Sequence, residues 1–190
     1  MRIGVYVGSF SPVHKGHIAI AREILAQDLV DEVLIIPTGA YWDKNDLLPF
    51  KERTAMLKLY EKDGIRIGEE YGHYPYTHEI FKKLTQDYPQ AQLYLILGAD
   101  NIVSFDKWKE YEYLLQFPFI IIRRNELGDQ QIREYMHKLG KRNYELLDMG
   151  LIDISSTYIR DNLDDYEKVK DMIDKEVYDY LIAKGKNNAA

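Results

Sequence analysis

The chain contains no cysteine, which excludes disulfides, thiolate nucleophiles and cysteine-held metals. Neither the Walker pattern G-x-x-x-x-G-K-[ST] nor the dinucleotide fingerprint G-x-G-x-x-G occurs in it. No apolar run approaches the roughly 20 residues that cross a bilayer. Met1-Arg2 leads straight into a strand pattern without an apolar leader or cleavage site. The expectation is a cytoplasmic chain with no membrane partner. Positive charge is in deficit as well, with 25 Lys and Arg against 31 Asp and Glu and a net charge of −6. That balance argues against a nucleic-acid coat protein, and no nucleic-acid partner is expected. It leaves room for a local basic pocket, because net charge says nothing of a single cleft.

What is present fits one globular domain. A chain of 190 residues, 46% hydrophobic and 29% charged, is long enough for one substantial core and short for two. The expected division is an α/β core over about residues 1–150, followed by a short motif and C-terminal helices over about 151–184, all within one domain. The sixteen tyrosines read mostly as half-buried rings with wet hydroxyls.

The organising stretch is Gly8-Ser9-Phe10-Ser11-Pro12-Val13-His14-Lys15-Gly16-His17. Ile3, Val5 and Val7 alternate before it as a strand, and Ile18, Ile20, Ile24 and Leu25 follow at helical spacing. A strand thus feeds a glycine-bearing turn and then a helix N-terminus, whose free N–H groups and dipole suit phosphate. Gly8 and Gly16 allow close backbone approach, and Pro12 stiffens the loop. His14 and His17 flank Gly16, so both imidazoles can face one anion whose charge grows during reaction. A lone histidine would read as a helix cap. Two of the five histidines at one turn read as a site.

This stretch resembles the G-x-F-x-P-x-H-x-G-H signature of adenylyl- and cytidylyl-transferases with a HxGH site. The resemblance implies a Rossmann-like nucleotidyltransferase fold, and ATP or CTP phosphates held by His14, His17 and the glycine turn, with Gly8, Ser9, Phe10 and Gly16 in the nucleotide site.

Further along, Glu32–Pro37, Ile65–Ile67, Leu93–Leu97, Phe119–Ile122 and Tyr144–Leu147 read as strands. Helices are expected over Phe50–Lys62, from an N-cap at Thr77 to Asp87, within Ile132–Leu139, and through the charged remainder after Arg160 to about Ala183, with a frayed tail from Lys184. The fold class expected is a doubly wound, mostly parallel α/β sheet. Gly98 and Asp100 close the Leu93–Leu97 strand at its carboxyl end, where open parallel sheets bind ligands, and should face the same crevice as His14.

Ser155-Ser156-Thr157 precedes another helical pattern, with Arg160 four residues after Ser156. Taken locally this is an N-cap with a solvated arginine. It also resembles the family's I-S-S-T-x-I-R motif at Ile154, Ser155, Ser156, Thr157, Ile159 and Arg160, which implies that Ile154, Ser155, Ser156 and Arg160 join the ATP site. Leu97-Gly98-Ala99-Asp100 followed by Phe105-Asp106-Lys107-Trp108 is similar to the G-A-D and tryptophan segment of nicotinate-mononucleotide adenylyltransferases. There the tryptophan packs near a pyridine ring, and the backbone beside it helps bind the nicotinate.

That resemblance implies ATP and a pyridine mononucleotide as partners, with Ser9, Lys44, Thr77, Trp108 and Arg124 on the acceptor side. It implies Mg²⁺ carried by the ATP phosphates, with no metal ligand on the protein. The same chemistry on nicotinamide mononucleotide or another phosphate acceptor, and a non-catalytic nucleotide-binding domain, are the alternatives. Both a monomer and a homo-oligomer stay open. The departures from the family pattern fall around the acceptor. S-Y-T-x-D-T becomes Pro75-Tyr76-Thr77-His78-Glu79-Ile80, a Pro-Pro-His-Lys loop becomes Ala40-Tyr41-Trp42-Asp43-Lys44, and Arg124-Asn125 replaces Arg-Pro.

Overall fold

Alternating apolar strands and amphipathic helices fold as a sheet covered on both faces. The computed structural model describes residues 1–39, 47–123, 127–150 and 154–188, with side chains to 184. Lys44 and Arg124, expected at the acceptor, lie outside the described residues, as do residues 41–43, 125 and 151–153.

The strands are β1 (Arg2–Gly8), β2 (Glu32–Pro37), β3 (Ile65–Ile67), β4 (Gln92–Gly98), β5 (Phe119–Ile122) and β6 (Tyr144–Leu146). They form one six-stranded sheet in the order β3-β2-β1-β4-β5-β6, with every pair parallel. Helices α1 (Lys15–Ala26), α2 (Phe50–Lys58), α3 (Thr77–Asp87), α4 (Ala99–Ile102), α5 (Tyr111–Leu114) and α6 (Asp129–Lys138) connect them, and α7 (Ser156–Asp161), α8 (Tyr166–Val169) and α9 (Lys175–Asn188) close the chain.

Successive strand residues serve opposite cores, as the pleat requires. Val33, Ile35, Ile96, Ile120 and Ile122 pack with α1 and the C-terminal helices. Leu34, Ile36, Leu95, Phe119 and Ile121 pack with α3, α5 and α6. The order reverses direction between β1 and β4. Their carboxyl ends therefore splay apart and leave a crevice.

Several expected boundaries shift. The helix from Phe50 stops at Lys58, and positive φ at Asp63 (51°) and Gly64 (83°) turns the chain into β3. Tyr76 takes the cap position of α3 without a side-chain capping bond, so Thr77 is the first helical residue instead of the cap. The expected C-terminal helices are α7, α8 and α9, and the Asp165 side chain accepts from Glu167 N where α8 starts. The frayed tail expected from Lys184 is instead α9, which runs to Asn188. Among the described residues no helix is long and apolar enough to cross a membrane.

Candidate nucleotide-binding cleft

The turn after β1 is built around an aromatic ring. Phe10 adopts φ 46°, and its ring packs edge-on against Tyr6 at 5.3 Å and His17 at 4.9 Å. A Cβ on Gly8 would meet Phe10 Cζ at 3.0 Å, so this glycine admits the Phe10 ring as well as lining the cleft.

His14 is the N-cap of α1 and His17 its third residue, and the two form a reciprocal capping box. His14 Nδ1 accepts from His17 N at 3.4 Å, and His17 Nδ1 accepts from His14 N at 3.3 Å. The rings stack at 3.6 Å between centroids. With both Nδ1 atoms acting as acceptors, the neutral tautomer of each ring carries its hydrogen on Nε2. Capping and anion recognition are therefore compatible uses of the same side chains: one ring edge satisfies the helix and the other is a donor.

A cleft of about 400 Å³ lies at the carboxyl ends of β1, β2 and β4. The expected residues Gly8, Ser9, Phe10, His17, Gly98, Asp100, Thr77 and Trp108 all line it, joined by Thr38. Thr77 and Trp108 also line an adjoining cavity of about 600 Å³ with Pro75, Tyr76, Lys107 and Lys109. His14, 3% exposed, does not line the cleft and stacks behind His17. Gly16 is buried in the first turn of α1.

The second motif sits against the back of the first. Ser155 N-caps α7, accepting from Tyr158 N at 3.4 Å. Ser156 Oγ donates to the Pro12 carbonyl at 3.0 Å, and Arg160 donates through Nη1 to the Ser11 carbonyl and through Nη2 to Thr157 Oγ1. Arg160 is half-buried, not the solvated side chain that local sequence gives. The reason is that the tight turn at 11–12 presents carbonyls with no strand to pair with, and these side chains satisfy them. Ile154 packs on the core under α1. Lys15 completes the junction, its backbone N–H donating to Met172 O and its Nζ to Lys170 O, both at 2.9 Å.

Sequence reasoning missed Arg53. It is fully buried, and its fork donates to three carbonyls: Ser9 at 2.6 Å, Thr38 at 2.8 Å and Leu48 at 2.8 Å. Ser9 and Thr38 both line the cleft, so one guanidinium sets the spacing of the loops after β1 and β2. Desolvation lowers its pKa from the ordinary arginine value. The signal that could have found it is its place on the face of α2 that also carries Met56 and Leu57: a charge on an apolar stripe.

No three His, Asp or Glu side chains gather as a metal site among the described residues. The cleft presents the His17 imidazole and the hydroxyls of Ser9, Thr38 and Thr77, groups that suit phosphate oxygens, together with the Asp100 carboxylate.

The cytidylyltransferase-like family profile matches residues 5–162. A protein of Caldicellulosiruptor saccharolyticus named probable nicotinate-nucleotide adenylyltransferase is 32% identical over 195 residues, spanning 97% of this chain and 98% of the relative. One of the same name from Clostridium acetobutylicum is 28% identical over 188 residues, spanning 93% and 94%. The structure of Plasmodium falciparum nicotinic acid mononucleotide adenylyltransferase complexed with NaAD matches with a TM-score of 0.82 at 24% identity, over 96% of this chain and 95% of that one.

Proposed function

The chain belongs to the cytidylyltransferase-like family, and on that footing we propose that it transfers the adenylyl group of ATP to nicotinate mononucleotide. The observation that carries the reading is His17, held in a reciprocal cap with His14, on the wall of a cleft placed where the strand order reverses. The names of the curated relatives support the choice of acceptor.

In the proposed reaction a phosphate oxygen of the mononucleotide attacks the α-phosphorus of ATP in line. The bond from that phosphorus to the bridging α–β oxygen breaks, and pyrophosphate leaves with the electron pair. A phosphate dianion is already a nucleophile, so no general base is required, and catalysis reduces to positioning and charge stabilisation. His17 donates its Nε2–H from the cleft wall, and His14 does so from the position stacked behind it. The backbone of the Gly8–Phe10 turn and the start of α1 cradle the phosphates. Ser155, Ser156 and Arg160 hold the leaving β,γ end and fix the turn at Ser11 and Pro12. Asp100 and Gly98 border the nucleotide, while Thr77 and Trp108 separate it from the acceptor. Lys44 and Arg124 belong to the acceptor side on family resemblance. Mg²⁺ brought with the ATP would supply charge neutralisation at the phosphates, and no side chain of this protein is assigned to hold it.

The test is pyrophosphate release from ATP and Mg²⁺, with nicotinate mononucleotide and nicotinamide mononucleotide offered separately. Release with the nicotinate form is the expected result; release with neither sinks the assignment.

A further inference from the structure

The cavity of about 600 Å³ beside the cleft draws its lining from two separate stretches, Pro75 to Thr77 and Lys107 to Lys109. The first leads into α3 and the second into α5. The residue that follows each stretch reaches the other: His78 Nε2 lies 3.3 Å from Glu110 Oε1. His78 is 2% exposed, and its ring stacks on that of Tyr76 at 5.7 Å. Its Nδ1 is buried and has no hydrogen-bond partner among the described residues. The neutral ring therefore carries its hydrogen on Nε2 and donates to Glu110, because the other tautomer would bury an unpaired N–H and turn a lone pair toward a carboxylate. A phenylalanine would fill the same space without burying a polar nitrogen. The imidazole is explained by the bond it makes, since volume alone does not call for it.

Glu110 is held in turn. Its Oε2 accepts from Lys82 at 2.6 Å, and that bond keeps the carboxyl below the usual carboxylate range, as an anion. Its backbone takes a left-handed φ of 51°, uncommon for a residue with a Cβ, where the chain turns from Trp108 and Lys109 into α5. His78 and Lys82 both lie on α3, so two donors of one helix pin a single carboxylate. The Lys109 Nζ, 4.3 Å from the centre of the Tyr76 ring, brings the same two stretches together at the cavity itself.

We propose that His78 is a positioning residue for the acceptor: through Glu110 it clasps the 107–110 stretch to the start of α3 and so sets the spacing of Tyr76 and Thr77 from Trp108. The inference rests on adenylyl transfer to a mononucleotide bound in this cavity. The triphosphate end is built on other elements, the turn after β1 and the start of α1, so the clasp bears on acceptor binding more than on ATP. A slot already held at its bound width needs little ordering when the ligand enters. Loosening it raises the acceptor KM and leaves the bound complex to react at its own rate.

The experiment measures pyrophosphate release with ATP, Mg²⁺ and varied nicotinate mononucleotide in the wild type, H78F, H78Q, E110A and the H78F/E110A double variant. H78F keeps a ring against Tyr76 and removes the donor, while H78Q offers an amide Nε2 in place of the imidazole Nε2. H78F and E110A should each raise the acceptor KM about fivefold, the worth of one net hydrogen bond, with kcat and the ATP KM near wild type. The double variant should be no worse than either single one, because both remove the same bond, and H78Q should restore the acceptor KM. A merely structural role would move both substrates together and would not be rescued by glutamine. An acceptor KM unchanged in H78F, or single effects that multiply to about 25-fold in the double variant, overturns the proposal and leaves adenylyl transfer standing. Should H78F fail to fold, E110A decides from the half-exposed end of the bond, and a wild-type acceptor KM there overturns the clasp. Absence of turnover in the wild type overturns the function, and the role of His78 with it.

Discussion

Arg53 donates its Nη1 to the carbonyl of Ser9 at 2.6 Å, across 44 residues of sequence. The same guanidinium reaches Thr38 and Leu48, so a helix one strand away fixes the floor of the cleft. Replacing it with methionine keeps much of the volume but leaves three buried carbonyls unpaired. Urea unfolding of Arg53→Met should show a loss of about 3–5 kcal/mol. Arg53→Lys should recover only part of it, because a point charge cannot span three directions. Wild-type stability in Arg53→Met would show that the three bonds are dispensable.

The histidine pair separates capping from chemistry. His14→Asn retains a good N-cap acceptor for His17 N but has no imidazole Nε2. It should fold with a thermal midpoint close to wild type and lose about 10²–10³ in kcat, the usual cost of one transition-state donor. Pyrophosphate release from that variant at the wild-type rate would remove His14 from the machinery.

Arg160 joins the two motifs through the Ser11 carbonyl, 149 residues earlier in the chain. In Arg160→Met the turn at 11–12 loses one of its donors while the Ser156–Pro12 bond persists. Unfolding free energy should drop by about 1–2 kcal/mol and turnover by about 10²-fold, since the phosphate-binding turn is misplaced. Parallel assays of unfolding and pyrophosphate release resolve the two effects.

Lys141 gives a pH signature. Its ammonium is 6% exposed, donates to the carbonyls of Leu115 and Phe117, and lies over the Phe119 ring. Desolvation lowers its pKa from 10.5 to about 8. Between those values the unfolded chain holds a proton that the native one has released, so stability rises with pH there. Below pH 8 the native state carries the buried charge and its full cost. Denaturant titrations from about pH 7 to pH 9.5 should show stability climbing in the wild type relative to Lys141→Met. The window ends near pH 10, because burial raises the pKa of Tyr60 and Tyr71 and their neutral native forms then favour unfolding as pH increases. Parallel curves for the two proteins would contradict this account.

Gly72 tests packing at the end of β2. A Cβ there would meet the Pro37 carbonyl at 2.5 Å and the Phe50 ring at 2.6 Å. Gly72→Ala must displace backbone, and an overpacking cost of about 2–3 kcal/mol is expected in urea unfolding.

The sequence by itself determined the sheet and the nucleotide end of the site. Alternating Ile3, Val5 and Val7, the apolar runs at Glu32–Pro37 and Phe119–Ile122, and the glycine turn with His14 and His17 are local patterns, and local patterns carry strand, helix and cap without knowledge of the rest. Tertiary structure alone decided what the side chains are spent on. Arg160 and Ser156 are read locally as part of a cap, yet they grip Ser11 and Pro12. Arg53 is read as an ordinary helix residue, yet it ties the loops after β1 and β2 through three carbonyls. In each case the partner is a backbone carbonyl of a loop brought close only by the folded chain. No periodicity records which loop carbonyls the fold leaves for a side chain to satisfy.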